Sequence, residues 1–213
     1  MKIGMPQTKV SDYEFLMRGG WLCLDFANTA GSHASDHPSE HLPNYMALVA
    51  WGLQANAIDE REAKRLVREA EHRPREATTV LARARALREV IYRIFSAIAA
   101  NESPNETDLK SLNAALAQTF GRLRIVLTKD GFSWAWAGDE DALDRMLWPV
   151  VRSAAELLVS EELNLVRECA NDTCGWLFLD RSKNHSRRWC DMKDCGNVAK
   201  ARRYYQRHKK IDK

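Results

Sequence analysis

Apolar residues recur at helical spacing through most of the first 160 positions. Leu42, Tyr45, Met46, Val49 and Leu53 form one stripe and predict a helix from about residue 42. Asp59-x-x-Glu62 has the pattern of a capping box, in which two side chains satisfy each other's free backbone N–H groups. Ala63, Leu66, Val67 and Ala70 then supply an inner stripe, and Pro74 punctuates the chain. The longest helix is expected from about Arg75 to Ala100. Val80, Leu81, Ala84, Leu87, Ile91, Ile94, Phe95 and Ile98 lie on one face, and Arg83, Arg85, Arg88 and Arg93 on a solvated one. A further helix carries Leu109, Leu112, Leu116 and Phe120. A last one, from about Asp139 to Ser160, carries Leu143, Leu147, Val150, Ala154 and Leu157.

The period shifts to two in 122–137, which reads as one hairpin. Asp130-Gly131 favours a two-residue turn, and that register sets Leu127 opposite Trp134 and Ile125 opposite Trp136. Such a ribbon needs cover from a helix. Leu22, Leu24 and Phe26 also alternate, yet the piece is short enough to be a buried helical turn. Asp25 and Asn28 interrupt it. Either they cap neighbouring backbone or, with Trp51, they face a ligand. Residues 30–41 read as a loop with His33 and His37 solvated, and Leu163 to Val166 as a short strand. The pattern predicts a mainly α (α+β) chain: a helical domain over 1–160 holding the hairpin, then a small module over 161–213 that ends in a helix.

Four of the five cysteines fall in that module. Cys169-x4-Cys174 and Cys190-x4-Cys195, fifteen residues apart, can place four thiolates around one Zn²⁺ in a closed structural site. The competing readings are two disulfides, or His185 or His208 as a substitute ligand. Disulfides need an oxidising compartment, and residues 1–18 contain no apolar run of signal length, so a reducing cytoplasm is expected. Lone Cys23 reads as a small buried side chain. No apolar run reaches the length of a membrane span.

Charge is polarised. From Arg181 to Lys213 there are twelve Lys or Arg against three Asp, whereas the rest of the chain carries twenty basic and twenty-six acidic residues. A cationic end on an anionic body is the footprint of a nucleic-acid-binding module. Val198, Ala201 and Tyr205 are expected to turn the last helix inward, leaving Lys200, Arg202, Arg203 and Arg207, with Arg187 and Arg188, to contact phosphates. The module's small apolar core would be Trp176, Leu177 and Phe178, and losing the metal would unfold 165–210 while the helical body stayed folded.

The run from Cys169 to Lys210, with Trp176, Asp180, Arg188, Trp189, Cys190, Cys195, Gly196 and Asn197, resembles the CGNR zinc-finger family of bacterial proteins. GWLCLDFANT, Gly20 to Thr29, is similar to the opening motif of the ABATE domain that precedes this finger. The family's name-giving arginine is Val198 here. The resemblance implies a stress-induced transcription regulator: a finger on DNA and an N-terminal domain sensing a small-molecule effector or protein partner, in a chain able to dimerise on paired half-sites. An alternative is a zinc-stabilised protein- or RNA-interaction module. An enzyme is not expected, because the chain shows no nucleophile–base pair, phosphate loop or His-x-x-x-His.

Overall fold

The computed structural model of the protein describes residues 9–138 and 140–208. The first helix, α1 (Leu22–Ala27), settles the Leu22–Phe26 segment as a helical turn, with Cys23, Leu24, Phe26 and Ala27 all buried. A short antiparallel pair follows, β1 (Ala30–Gly31) with β2 (Ser39–Glu40). Helix α2 (Tyr45–Gln54) begins after Asn44, whose side chain accepts from the Ala47 N–H. In α3 (Glu60–His72) the Asp59/Glu62 capping box forms as its spacing predicts. Helix α4 (Pro74–Ala99) starts one residue after α3 ends, with Pro74 in its first turn, where a missing N–H costs nothing. Asn105 caps α5 (Glu106–Phe120). Helices α1, α2, α3 and α5 all pack against α4, and Trp51 of α2 meets Phe26 of α1 at 4.9 Å between ring centroids.

Several expectations fail here for identifiable reasons. The last long helix of this region, α6 (Leu147–Leu158), does not reach back to 139, because Pro149 is tolerated only in a first turn. Of the four α4 arginines expected on a solvated face, Arg83 and Arg93 are exposed, but three of the four are hydrogen-bonded to specific partners. Arg88 is buried and forks onto Glu40 at 2.7 and 2.9 Å, Arg93 forks onto Asp108 at 2.9 and 2.6 Å, and Arg85 donates to the Leu42 carbonyl. Bidentate guanidinium geometry makes these arginines staples between α4 and its neighbours. His33 is likewise no solvated histidine: its ring lies flat on Tyr92, centroids 3.7 Å apart.

The hairpin forms between β3 (Leu123–Thr128) and β4 (Gly131–Trp136), but the turn is Lys129-Asp130. Leu127 therefore faces Phe132, Ile125 faces Trp134 and Leu123 faces Trp136, two residues out from the expected register. A two-residue slip keeps every side chain on its own face. Cover comes from α6: Trp136 meets Trp148 at 5.9 Å at the base, and the Arg152 guanidinium lies 5.0 Å from the Trp134 ring centre. Beyond α6, a 3₁₀ turn (Glu161–Leu165) replaces most of the strand expected over 163–166.

Candidate functional site

Strands β5 (Val166–Glu168) and β6 (Leu177–Leu179) form an antiparallel hairpin whose loop carries the first cysteine pair. The Cys169 N–H donates to the Trp176 carbonyl at 2.8 Å, and the Cys174 N–H to the Asn171 carbonyl at 2.9 Å. Gly175 closes the loop with φ +68°, and a Cβ there would fall 2.9 Å from His33 Cβ and 3.0 Å from Tyr92 Oη. Both conformation and space demand glycine. The second pair is set by two aspartates. Buried Asp180 accepts from the Ser182 and Arg187 N–H groups at 3.0 and 2.8 Å, which shapes the loop leading to Cys190. Asp191 caps a π-helical turn (Met192–Gly196) that presents Cys195, and helix α7 (Asn197–His208) continues from it.

These elements bring the four predicted sulfurs together. Cys174–Cys190 and Cys190–Cys195 are each 3.7 Å apart, and all four lie within 4.8 Å of one another. A tetrahedron of thiolates about 2.3 Å from a central Zn²⁺ has edges of about 3.8 Å. Disulfide sulfurs would stand about 2.05 Å apart; all five cysteines are free. His185 is occupied instead by the Asp180 carbonyl at 2.9 Å. Hydrogen bonds from the Cys174 and Cys190 thiols lower the Cys169 pKa, and the bond to Cys169 raises that of the Cys174 thiol. Thiolate ligands lose their protons as the metal binds. Donor set and spacing fit structural zinc, with no position left open for water.

Residues 20–161 match the family model ABATE, described as "Putative stress-induced transcription regulator". The chain belongs to the ABATE family. Residues 166–208 match the CGNR zinc finger, so the tetrathiolate cluster is that finger's zinc site. Both models are of regulator and zinc-finger types rather than enzymes. No curated protein matches. Among the described residues no helix is long and apolar enough to cross a membrane.

The CGNR finger is joined firmly to the ABATE body. Val166, Leu177 and Leu179 belong to the body's hydrophobic core, while Cys169, Trp176, Phe178 and Cys190 form the finger's own cluster. Asn28, at the end of α1, both accepts from the Leu177 N–H and donates to its carbonyl, at 2.9 Å each. Trp176 Nε1 donates to the Ala30 carbonyl. Arg18 spans to the zinc knuckle, 2.8 Å from Asp194 and 3.5 Å from Asp191. Because β5–β6 lies in the body core, metal loss is expected to release the cysteine loops rather than all of 165–210. The Arg18 brace is invisible in the sequence because its partners stand more than 170 residues away.

The three candidate ligand residues do not line a common cleft. Asp25 accepts from the Gly19 N–H at 2.7 Å, and burial raises its pKa to about 6. Asn28 serves the Leu177 backbone, and Trp51 is fully enclosed in the core. The cationic candidates divide more informatively. Arg187 is turned inward, donating to the Trp189 and Cys190 carbonyls with its guanidinium 4.3 Å from the Phe178 ring centre. Arg202 pairs with Asp172 at 2.9 Å. Arg188 and Arg203 are exposed and stand over the Trp189 ring at 5.6 and 5.9 Å. Lys200 is exposed on α7, and the side chain of Arg207 lies outside the described residues. A groove of about 200 Å³ runs between Asn171, Asp172, Arg188, Trp189, Arg202 and Arg203. Val198, Ala201 and Tyr205 do not face inward as expected; all three are exposed, and α7 meets the finger instead through Arg202 and Arg203.

Proposed function

We propose that the chain is a cytoplasmic, non-enzymatic transcription regulator whose zinc finger binds DNA, with the ABATE body as the part that senses an effector or partner. The observation that carries this reading is the face formed by Arg188, Trp189 and Arg203. Two guanidiniums with no ion-pair partner among the described residues flank a half-buried indole beside the four-cysteine cluster. Arginines at that spacing suit adjacent phosphates, and Lys200 extends the track along α7. Arg187 acts from beneath, fixing the Trp189–Cys190 backbone. Arg202 joins the interface only by exchanging Asp172 for a phosphate. Arg18 links the body to the knuckle, so a change in the N-terminal segment reaches the finger through Asp191 and Asp194.

The test is a fluorescence-anisotropy titration of a random duplex by the zinc-loaded chain across salt concentration. Three phosphate contacts predict a log–log slope of about −3, from about −0.9 per contact. Arg188→Ala or Arg203→Ala should each flatten it by about one unit. No binding at ~50 mM salt, or binding indifferent to salt, contradicts the reading. Tighter binding to RNA or to polyglutamate would favour an interaction module instead.

A further inference from the structure

We propose that the β3–β4 ribbon is the surface through which two copies of this chain associate. Its cross-strand pairs form one apolar face, Leu123 with Trp136, Ile125 with Trp134 and Leu127 with Phe132. The inner pair is covered by the body, and the outer two pairs are largely exposed, with the Arg152 guanidinium over Trp134. Ile125, Leu127, Phe132 and Trp134 are 64%, 75%, 81% and 52% exposed. The opposite face mixes Arg124, Thr128 and Ser133 with Val126 and Ala135, so the larger apolar side chains are gathered on the first face.

These four side chains expose roughly 450 Å², taking roughly 150–250 Å² for each when free. That is the size of the largest apolar patch on a typical monomer, which is often functional. Two such patches facing each other remove about 900 Å², and ribbon backbone and flanking residues carry the sum past the roughly 1,000 Å² of a specific contact. The charge at its edge is the Arg152 guanidinium, 5.0 Å from the Trp134 ring centre and already paired with Glu156 at 2.7 Å. The rest of the patch is apolar, which suits a second apolar face such as its own copy better than a polar or charged partner. A two-fold axis through the ribbon satisfies the requirement with one surface. The same axis would carry two zinc fingers, as paired half-sites require.

Sedimentation velocity on the zinc-loaded full chain, from about 1 to 100 μM, tests this. The expected result is a concentration-dependent species at twice the 24.3 kDa chain mass. Leu127→Lys/Phe132→Lys should weaken association at least tenfold with unchanged circular dichroism and zinc content, because both side chains are exposed. Val159→Lys, also at an exposed apolar position, should leave association unaltered. A wild-type monomer at 100 μM, or a dimer that survives the double substitution, overturns the proposal. So does a monomer whose ribbon is instead taken up by phosphatidylcholine–phosphatidylglycerol vesicles and released by the same substitutions.

Discussion

Asn28 shows how a single side chain joins the two parts of the molecule. Its amide matches both hydrogen-bonding groups of the Leu177 peptide in a buried setting. Asn28→Ala leaves an unsatisfied buried N–H and C=O, for which we expect about 2–4 kcal/mol lower stability in chemical denaturation. Asp25 makes a prediction about pH. Its folded-state value of about 6 lies above the ordinary 3.8, so the folded chain retains a proton that the unfolded chain has released. That contribution is complete below about pH 4 and is lost as pH rises through about 6, roughly 3 kcal/mol in all. Asp25→Asn keeps an acceptor for Gly19 and should remove this component, seen as the difference between variant and wild-type stability from pH 4 to 7. Both residues stood out in the sequence as polar interruptions of an apolar stretch. The partner of Asn28 did not, because Leu177 is 149 residues away and contributes only backbone.

Among elements, local signals were legible and distant ones were not. The Asp59 capping box, the α4 stripe and the cysteine spacing are local patterns, and each appears where its spacing places it. The α4 arginines were misread because helical spacing reports which face a residue takes, not whether Glu40 or Asp108 waits there. The hairpin was recognised from its alternation, but Asp130-Gly131 did not dictate the turn, and the slip followed. The zinc loops carry the clearest prediction at this scale. Structural zinc contributes about 10–16 kcal/mol in small modules, and residues 169–174 and 181–208 have little other core. Chelation, or Cys174→Ser, should abolish amide protection there while β5–β6 and the ABATE helices stay protected by the body core. Loss of protection in β5–β6 together with the loops would show that the metal also supports the body.

At the scale of the whole molecule, the charge separation visible in the sequence becomes a geometric one. The described cationic residues from Arg181 to Arg203 gather on the finger, and several are already committed: Arg181 to Glu162, Arg187 to its own loop and Arg202 to Asp172. The free remainder around Trp189 is what a polyanion would meet. Val198, 42% exposed at the start of α7, stands where the family's name-giving arginine would be. Val198→Arg should strengthen duplex binding and steepen its salt slope by about 0.9 if that position faces the DNA.

The central claim is that one zinc ion converts a basic tail into a DNA-binding surface. It is tested most directly by titrating zinc into the metal-free chain while following both amide protection over 181–208 and duplex anisotropy. The account predicts that the two rise together and saturate at one equivalent. Duplex binding of equal strength in the fully chelated chain, or protection of the loops without metal, would contradict it.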